Sequence, residues 1–183
     1  IKSCIKDDVA VENFAMFDLE YIFTQIRAKS VGEEVELIFR CQHCDDEKAK
    51  VQMRIDLTKI EISKDPNHST KIQLFDDIGI VMKYPNPDML KQLDNVKSDS
   101  IQDIFNIIVK CIDYIYDKDE IYYAKETNPK ELEEFVSQLT NSQFEQIQKF
   151  FSTMPTLTKD IEYNCPVCGA ENKLTLSGMS SFF

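Results

Sequence analysis

Apolar positions along the chain switch between two spacings. From Val11 to Ser30 they fall three and four apart, at Phe14, Phe17, Tyr21, Ile22 and Ile26, which predicts a helix with a core-facing stripe. Arg27 and Lys29 form its polar edge, and Gly32 supplies the stop. The spacing then changes to two. Val35–Arg40 alternates, and so does Val51–Leu57, with Val51, Met53, Ile55 and Leu57 on one face. Shorter strands are expected at Lys71–Phe75 and Ile78–Tyr84, turning at Asp76-Asp77, before Tyr84-Pro-Asn-Pro87 breaks the sheet.

Helical spacing returns afterwards. Met89–Val96 is weakly amphipathic, and Ser100-Ile-Gln-Asp103 resembles a capping box that opens a helix reaching about Tyr116. Asn128-Pro-Lys-Glu131 combines an N-cap with a proline at the first helical position, starting a helix to Leu139. Thr140-Asn-Ser-Gln143 is another capping box, for a helix that ends before Pro155. Asp160–Asn164 and Lys173–Leu176 are the last strands. The pattern therefore predicts an α+β fold, a helical domain with short antiparallel hairpins, read as one domain over residues 1–183. Hairpins at 34–57 and 160–177 pair into a zinc-ribbon-like module, and the mainly helical segment 87–155 lies between them in sequence.

Cysteine placement motivates that pairing. Of six cysteines, Cys41, Cys44, Cys165 and Cys168 form two C-x-x-C pairs, each at a hairpin turn. Thiolates are soft ligands, and four of them suit tetrahedral structural zinc. Gly169, directly after Cys168, suits the tight turn of a metal knuckle. The competing readings are free thiols and a redox pair, though a redox C-x-x-C is expected at a helix N-terminus. His43 is expected to be an exposed spacer, His68 a turn residue, and Cys4 and Cys111 core residues.

Composition narrows the partners. A chain of 183 residues with 43% hydrophobic content can bury a core without disulfides. Its net charge of −11, from 32 acidic and 21 basic residues, repels phosphate, so neither nucleic acid nor an anionic membrane is expected as a partner. No apolar run approaches a bilayer span. No phosphate loop or marked nucleophile is visible, and the acidic clusters Asp7-Asp8, Asp45-Asp-Glu47 and Asp117-Lys-Asp-Glu120 read as solvated turns, so no catalytic residue is assigned. Phe150-Phe151 reads as core. Phe182-Phe183 either packs back on the domain or inserts into a partner.

A family resemblance runs through the same residues. Phe17-Asp-Leu-Glu-Tyr-Ile-Phe23, Ile26-Arg-Ala-Lys-Ser-Val-Gly-Glu33, Met82-Lys-Tyr-Pro85, Ile104-Phe-Asn-Ile-Ile108 with Cys111-Ile112, Gln143-Phe144 with Ile147, Phe150-Phe-Ser-Thr-Met-Pro155 and Leu176-Ser-Gly-Met-Ser-Ser-Phe-Phe183 resemble, in this order, the T-even-type bacteriophage base plate family. The resemblance implies a non-enzymatic structural or assembly protein of the contractile-tail baseplate hub. Its implied partners are other hub proteins, with the tape-measure protein a further candidate, in the host cytoplasm during assembly or in the virion tail. It leaves open whether the chain is a hub subunit or an assembly factor. An upstream segment is expected before Ile1, since relatives carry one. The rival reading is a zinc-ribbon module of transcription or replication, which needs a basic face that this composition does not supply.

Overall fold

The computed structural model describes residues 1–7, 9–91 and 101–183. Residues 92–96 of the weakly amphipathic segment, Ser100 of the first capping box, and Asp8 lie outside the described residues. The chain is α+β, and its strand pairings are antiparallel among the described residues. It divides into two compact units.

The first unit comprises Ile1–Val11, Phe17–Ser63 and Pro155–Phe183. Helix α1, Met16–Ser30, is preceded by a 3-10 turn, Val11–Asn13, so the helix starts later than its apolar spacing predicts. Its buried residues are Leu19, Thr24 and Ala28, whereas Phe17, Ile22 and Ile26 are only half-buried. Ala28 belongs to the core of this unit, and Tyr21 packs against that core. Thr24 satisfies its hydroxyl by donating to the Glu20 carbonyl, one turn back, at 2.8 Å.

Strands β1, Glu34–Arg40, and β2, Lys50–Asp56, form a hairpin. Its register sets Val35 opposite Ile55, Leu37 opposite Met53 and Phe39 opposite Val51, so every apolar cross-strand pair shares one face. The chain then makes a 3-10 turn at Leu57–Lys59, capped by the Asp56 carboxylate on the Thr58 amide at 2.9 Å. A three-residue strand follows, β3, Glu61–Ser63, too short to leave a periodic signal. It pairs with the start of β8, Thr156–Asn164, which in turn pairs with β9, Glu171–Ser177. Both closing strands run longer than the sequence predicts. Leu57, Ile60, Leu157, Ile161, Tyr163 and Phe182 fill the core of this unit. Cys4, expected in the core, lies exposed in an N-terminal 3-10 turn.

The second unit comprises Glu12–Met16 and Lys64–Met154. Its sheet has the order β4-β5-β6-β7: Lys71–Gln73, Gly79–Met82, Ile112–Tyr116 and Ile121–Tyr123. The predicted helix to Tyr116 is therefore corrected. The helix α3, Ile101–Cys111, stops five residues earlier, and the chain enters β6 at once. An apolar run that is β-branched and aromatic satisfies both periods, and the sheet partner β5 decides between them. β7 was not foreseen either. The β4–β5 turn spans more than Asp76-Asp77, with the Leu74 and Phe75 amides both donating to the Ile78 carbonyl at 2.9 Å.

Gly79 has a specific reason to be glycine. It pairs with Tyr116, whose ring lies across it, and a Cβ here would sit 2.5 Å from the Ile72 carbonyl oxygen. Helices α2, Pro87–Lys91, α4, Pro129–Ser137, and α5, Asn141–Ser152, complete the unit. The last two begin where their caps predict. The Asn128 side chain accepts from the Lys130 amide at 3.1 Å. The Gln143 side-chain oxygen accepts from the Thr140 amide at 2.8 Å, while its amide donates to the Leu74 carbonyl at 3.0 Å. Ile80, Ile108, Cys111, Ile112, Ile147 and Phe150 form the core, each large aliphatic contributing about 1.5–3 kcal/mol by burial. Among the described residues no helix is long and apolar enough to cross a membrane.

Candidate metal centre

The two hairpins of the first unit carry their turns to one place. In the first, the Cys41 amide donates to the Ala49 carbonyl at 2.9 Å, which closes the loop 41–49 and leaves Ala49 buried. In the second, the Cys165 amide donates to the Ala170 carbonyl at 2.9 Å, and the Gly169 amide to the Cys165 carbonyl at 3.0 Å. That tight turn needs a positive φ, and Gly169 supplies one of 74°.

These turns bring together all four cysteines that the sequence singled out. Cys41, Cys44, Cys165 and Cys168 place their sulfurs within 4.8 Å of one another and can hold a metal ion. Cys41 Sγ lies 3.7 Å from Cys168 Sγ, and Cys44 Sγ lies 3.8 Å from Cys165 Sγ. A tetrahedron with metal–sulfur bonds of about 2.3 Å has edges of about 3.8 Å, so the donor set fits a tetrathiolate ion. All four are free thiols, and their separations are far beyond the roughly 2.05 Å of a disulfide. His43 is exposed and contributes no atom to the cluster, in keeping with a spacer.

Backbone amides donate to sulfurs of both knuckles, and the net effect differs between the first and second cysteine of each. Cys41 Sγ accepts from the His43 amide at 3.3 Å. Cys165 Sγ accepts from the Val167 amide at 3.4 Å and from the Cys168 amide at 3.5 Å. Burial pushes the Cys41 thiol up, but the His43 amide and neighbouring thiols outweigh it and bring the pKa down to about 6. At Cys165 the Cys168 amide lowers the pKa against burial. Their partners move the other way. Burial, reinforced by the neighbouring thiols, pushes Cys44 up to about 12. At Cys168 the Ala170 amide lowers the pKa, but Cys165 and burial outweigh it and raise it. Four thiolates this close repel one another, and a bound cation removes that conflict.

Two buried groups that sequence reasoning missed fasten the knuckles together. Asn172 is fully buried; its side-chain oxygen accepts from the Gln42 amide at 2.8 Å, and its amide donates to the Ala170 carbonyl at 3.0 Å. One side chain thus ties the backbone of both knuckles. Tyr163 stacks on Phe39 with ring centroids 5.7 Å apart, and its hydroxyl donates to the Arg40 carbonyl at 2.6 Å. The readable signal was parity. Asn172 shares the inward face of β9 with Leu174 and Leu176, where a polar residue needs a built partner.

The other singled-out residues divide. Phe182 is buried in the core of the first unit, whereas Phe183 is 51% exposed. Phe183 meets Phe23 edge-on at 5.9 Å, and the Arg27 guanidinium lies 5.2 Å from its ring centre. Cys111 is fully buried, and burial pushes its thiol up to about 12, as suits an inert core residue. His68 is in a turn, but its ring is not idle. It stacks on Tyr84, and its nitrogens lie 2.9 Å from both the Tyr84 and Thr153 hydroxyls.

The fold and the cluster together define an α+β protein with a paired four-cysteine knuckle. The family model described as T4 bacteriophage base plate protein matches residues 1–183, and the chain belongs to that family of phage base plate proteins. It is 27% identical over 186 aligned positions to the baseplate hub assembly protein gp26 of Enterobacteria phage T4, an alignment covering 100% of this chain and 79% of that relative. No solved structure matches.

Proposed function

We propose that this protein is a non-enzymatic assembly or structural component of the baseplate hub of a contractile phage tail, and that it binds other hub proteins, with the tape-measure protein a further candidate, during tail initiation. The observation that carries this reading is the family match along the whole chain, supported by the similarity to a hub assembly protein. The protein works in the host cytoplasm during assembly and in the tail baseplate where it remains in the particle. Specificity comes from surface complementarity, with an apolar anchor buried on a partner. Of the terminal pair, Phe183 with Phe23 is the better placed for that contact, because Phe182 is committed to the protein's own core. Tagged protein expressed with its phage's hub proteins should co-purify with at least one of them. Failure to retain any hub protein, with the fold intact, refutes the reading.

The cysteine cluster is structural zinc in this reading, held by Cys41, Cys44, Cys165 and Cys168. Residues 34–57 and 160–177 then act as one zinc-ribbon-like module. The four-thiol donor set and two sulfur separations close to a tetrahedral edge support zinc, whose role is to staple two hairpins far apart in sequence rather than to activate water. Protein purified without added metal should contain about one zinc per chain. Cobalt substitution should give the intense absorption of a tetrahedral cobalt–thiolate site, and Cys165→Ser should lose it.

A further inference from the structure

Contacts within the protein hold the two knuckles against each other. Asn172, on β9, accepts from the Gln42 amide at 2.8 Å, and Tyr163, on β8, donates to the Arg40 carbonyl at 2.6 Å. Each of these bonds fastens the second hairpin to the first. Backbone pairing closes the turns separately, at Cys41 with Ala49 and at Cys165 with Ala170. The hairpins themselves therefore bring the four sulfurs together.

Two sulfur contacts run between the knuckles, and they differ in access. Cys41 Sγ meets Cys168 Sγ at 3.7 Å, and Cys168 is exposed. Cys44 Sγ meets Cys165 Sγ at 3.8 Å, and Cys165 is only 3% exposed. A soluble reagent meets the first pair before the second. A covalent bond there would join residues 127 positions apart, and cross-links that close long loops restrict the unfolded chain most.

We propose that the cluster is a redox-sensitive staple, in which a disulfide-class oxidant such as glutathione disulfide joins Cys41 to Cys168 and then Cys44 to Cys165. The inference rests on the proposed four-cysteine centre but not on the identity of its ion. In the first exchange the Cys168 thiolate attacks one sulfur of glutathione disulfide, whose S–S bond breaks and releases one glutathione thiolate. The Cys41 thiolate then attacks the Cys168 sulfur of the mixed disulfide and expels the second glutathione thiolate. Overall, two electrons and two protons pass from the cysteine thiols to glutathione. A second reagent molecule does the same for Cys44 and Cys165. Once Cys41 and Cys168 are joined, two thiolates remain, fewer than the three or four protein ligands of a zinc site, so a bound zinc ion is released. The host cytoplasm is reducing and the medium outside the cell oxidising, so a copy carried out in the particle would meet the oxidant.

The experiment uses the full chain, reduced, stripped of metal with a chelator and exposed to glutathione disulfide. Trypsin cuts after Arg40 and Lys48 and after Lys159 and Lys173, so the two cysteine pairs fall on separate peptides. Mass spectrometry without reduction should find peptides 41–48 and 160–173 linked to each other. Disulfides within each knuckle would leave them separate, each lighter by two hydrogens. Protein keeping only the accessible pair, Cys44→Ser with Cys165→Ser, should cross-link at least ~10-fold faster than Cys41→Ser with Cys168→Ser. The oxidised parent chain should also need more urea to unfold than the reduced, metal-free chain. Four outcomes overturn the proposal: disulfides mainly within the knuckles, glutathione adducts that never resolve into a cross-link, equal linking rates in the two variants, or no gain in urea resistance on oxidation. Any of them leaves the zinc reading standing, since the metal content of protein purified without added metal tests that separately.

Discussion

Truncating Phe182 and Phe183 one at a time separates two roles that adjacent phenylalanines at a chain end conceal. Phe182 is 1% exposed among Leu57, Leu157 and other core residues of the first unit. Phe182→Ala removes a fully buried ring and leaves a cavity, at a cost of ~3–5 kcal/mol. Phe183 is 51% exposed, so about half of its ring area is already in water. Full burial of a phenylalanine is worth up to ~3 kcal/mol, so Phe183→Ala should cost only ~1–1.5 kcal/mol, the edge contact with Phe23 included. Urea unfolding followed by circular dichroism measures both, and co-purification with hub proteins supplies the second readout. Phe182→Ala should lower stability strongly, whereas Phe183→Ala should lower hub binding with little loss of stability. Equal destabilisation by the two variants, or a Phe182→Ala protein within ~1 kcal/mol of the parent, would refute the reasoning.

Other perturbations test the remaining parts. Asn172→Ala breaks hydrogen bonds to both knuckles and should cost about 2–4 kcal/mol and, in protein loaded with zinc under the proposed reading, speed metal loss to a chelator; unchanged chelation kinetics would count against its role as a tie. Gly79→Ala should destabilise by about 1–3 kcal/mol, and removing the Tyr116 ring should not rescue it, because the Ile72 backbone oxygen still blocks the Cβ; full rescue would be inconsistent with that geometry. Burial lowers the His68 pKa below its usual 6.5, against the raising effect of Asp65, so the fold prefers the neutral ring. Stability should therefore hold above about pH 6.5 and fall as pH drops from there through the folded-state pKa, and His68→Gln should flatten that fall between pH 7 and 5; an unchanged slope would exclude His68 as its source.

Much of this protein was legible in its sequence because the deciding interactions are local. The alternation in residues 35–40 and 51–57 fixed which face each strand buries, and the register confirms it with apolar residues opposite one another. Asn128-Pro129 and Thr140 to Gln143 set helix starts through caps that act over three residues. Two C-x-x-C pairs followed in one case by Gly169 carried the chemistry of the cluster, since ligand type and knuckle geometry are local properties. Tertiary structure decided the rest. Residues 112–116 satisfy helical and strand patterns alike, and only the neighbouring β5 makes them a strand. The three-residue strands 61–63 and 121–123 exist because a partner strand is present to accept them. Burial of Phe182 but not Phe183 and the tie made by Asn172 depend on residues distant in sequence. Periodicity records which side of an element avoids water, but it does not record which distant element will cover that side.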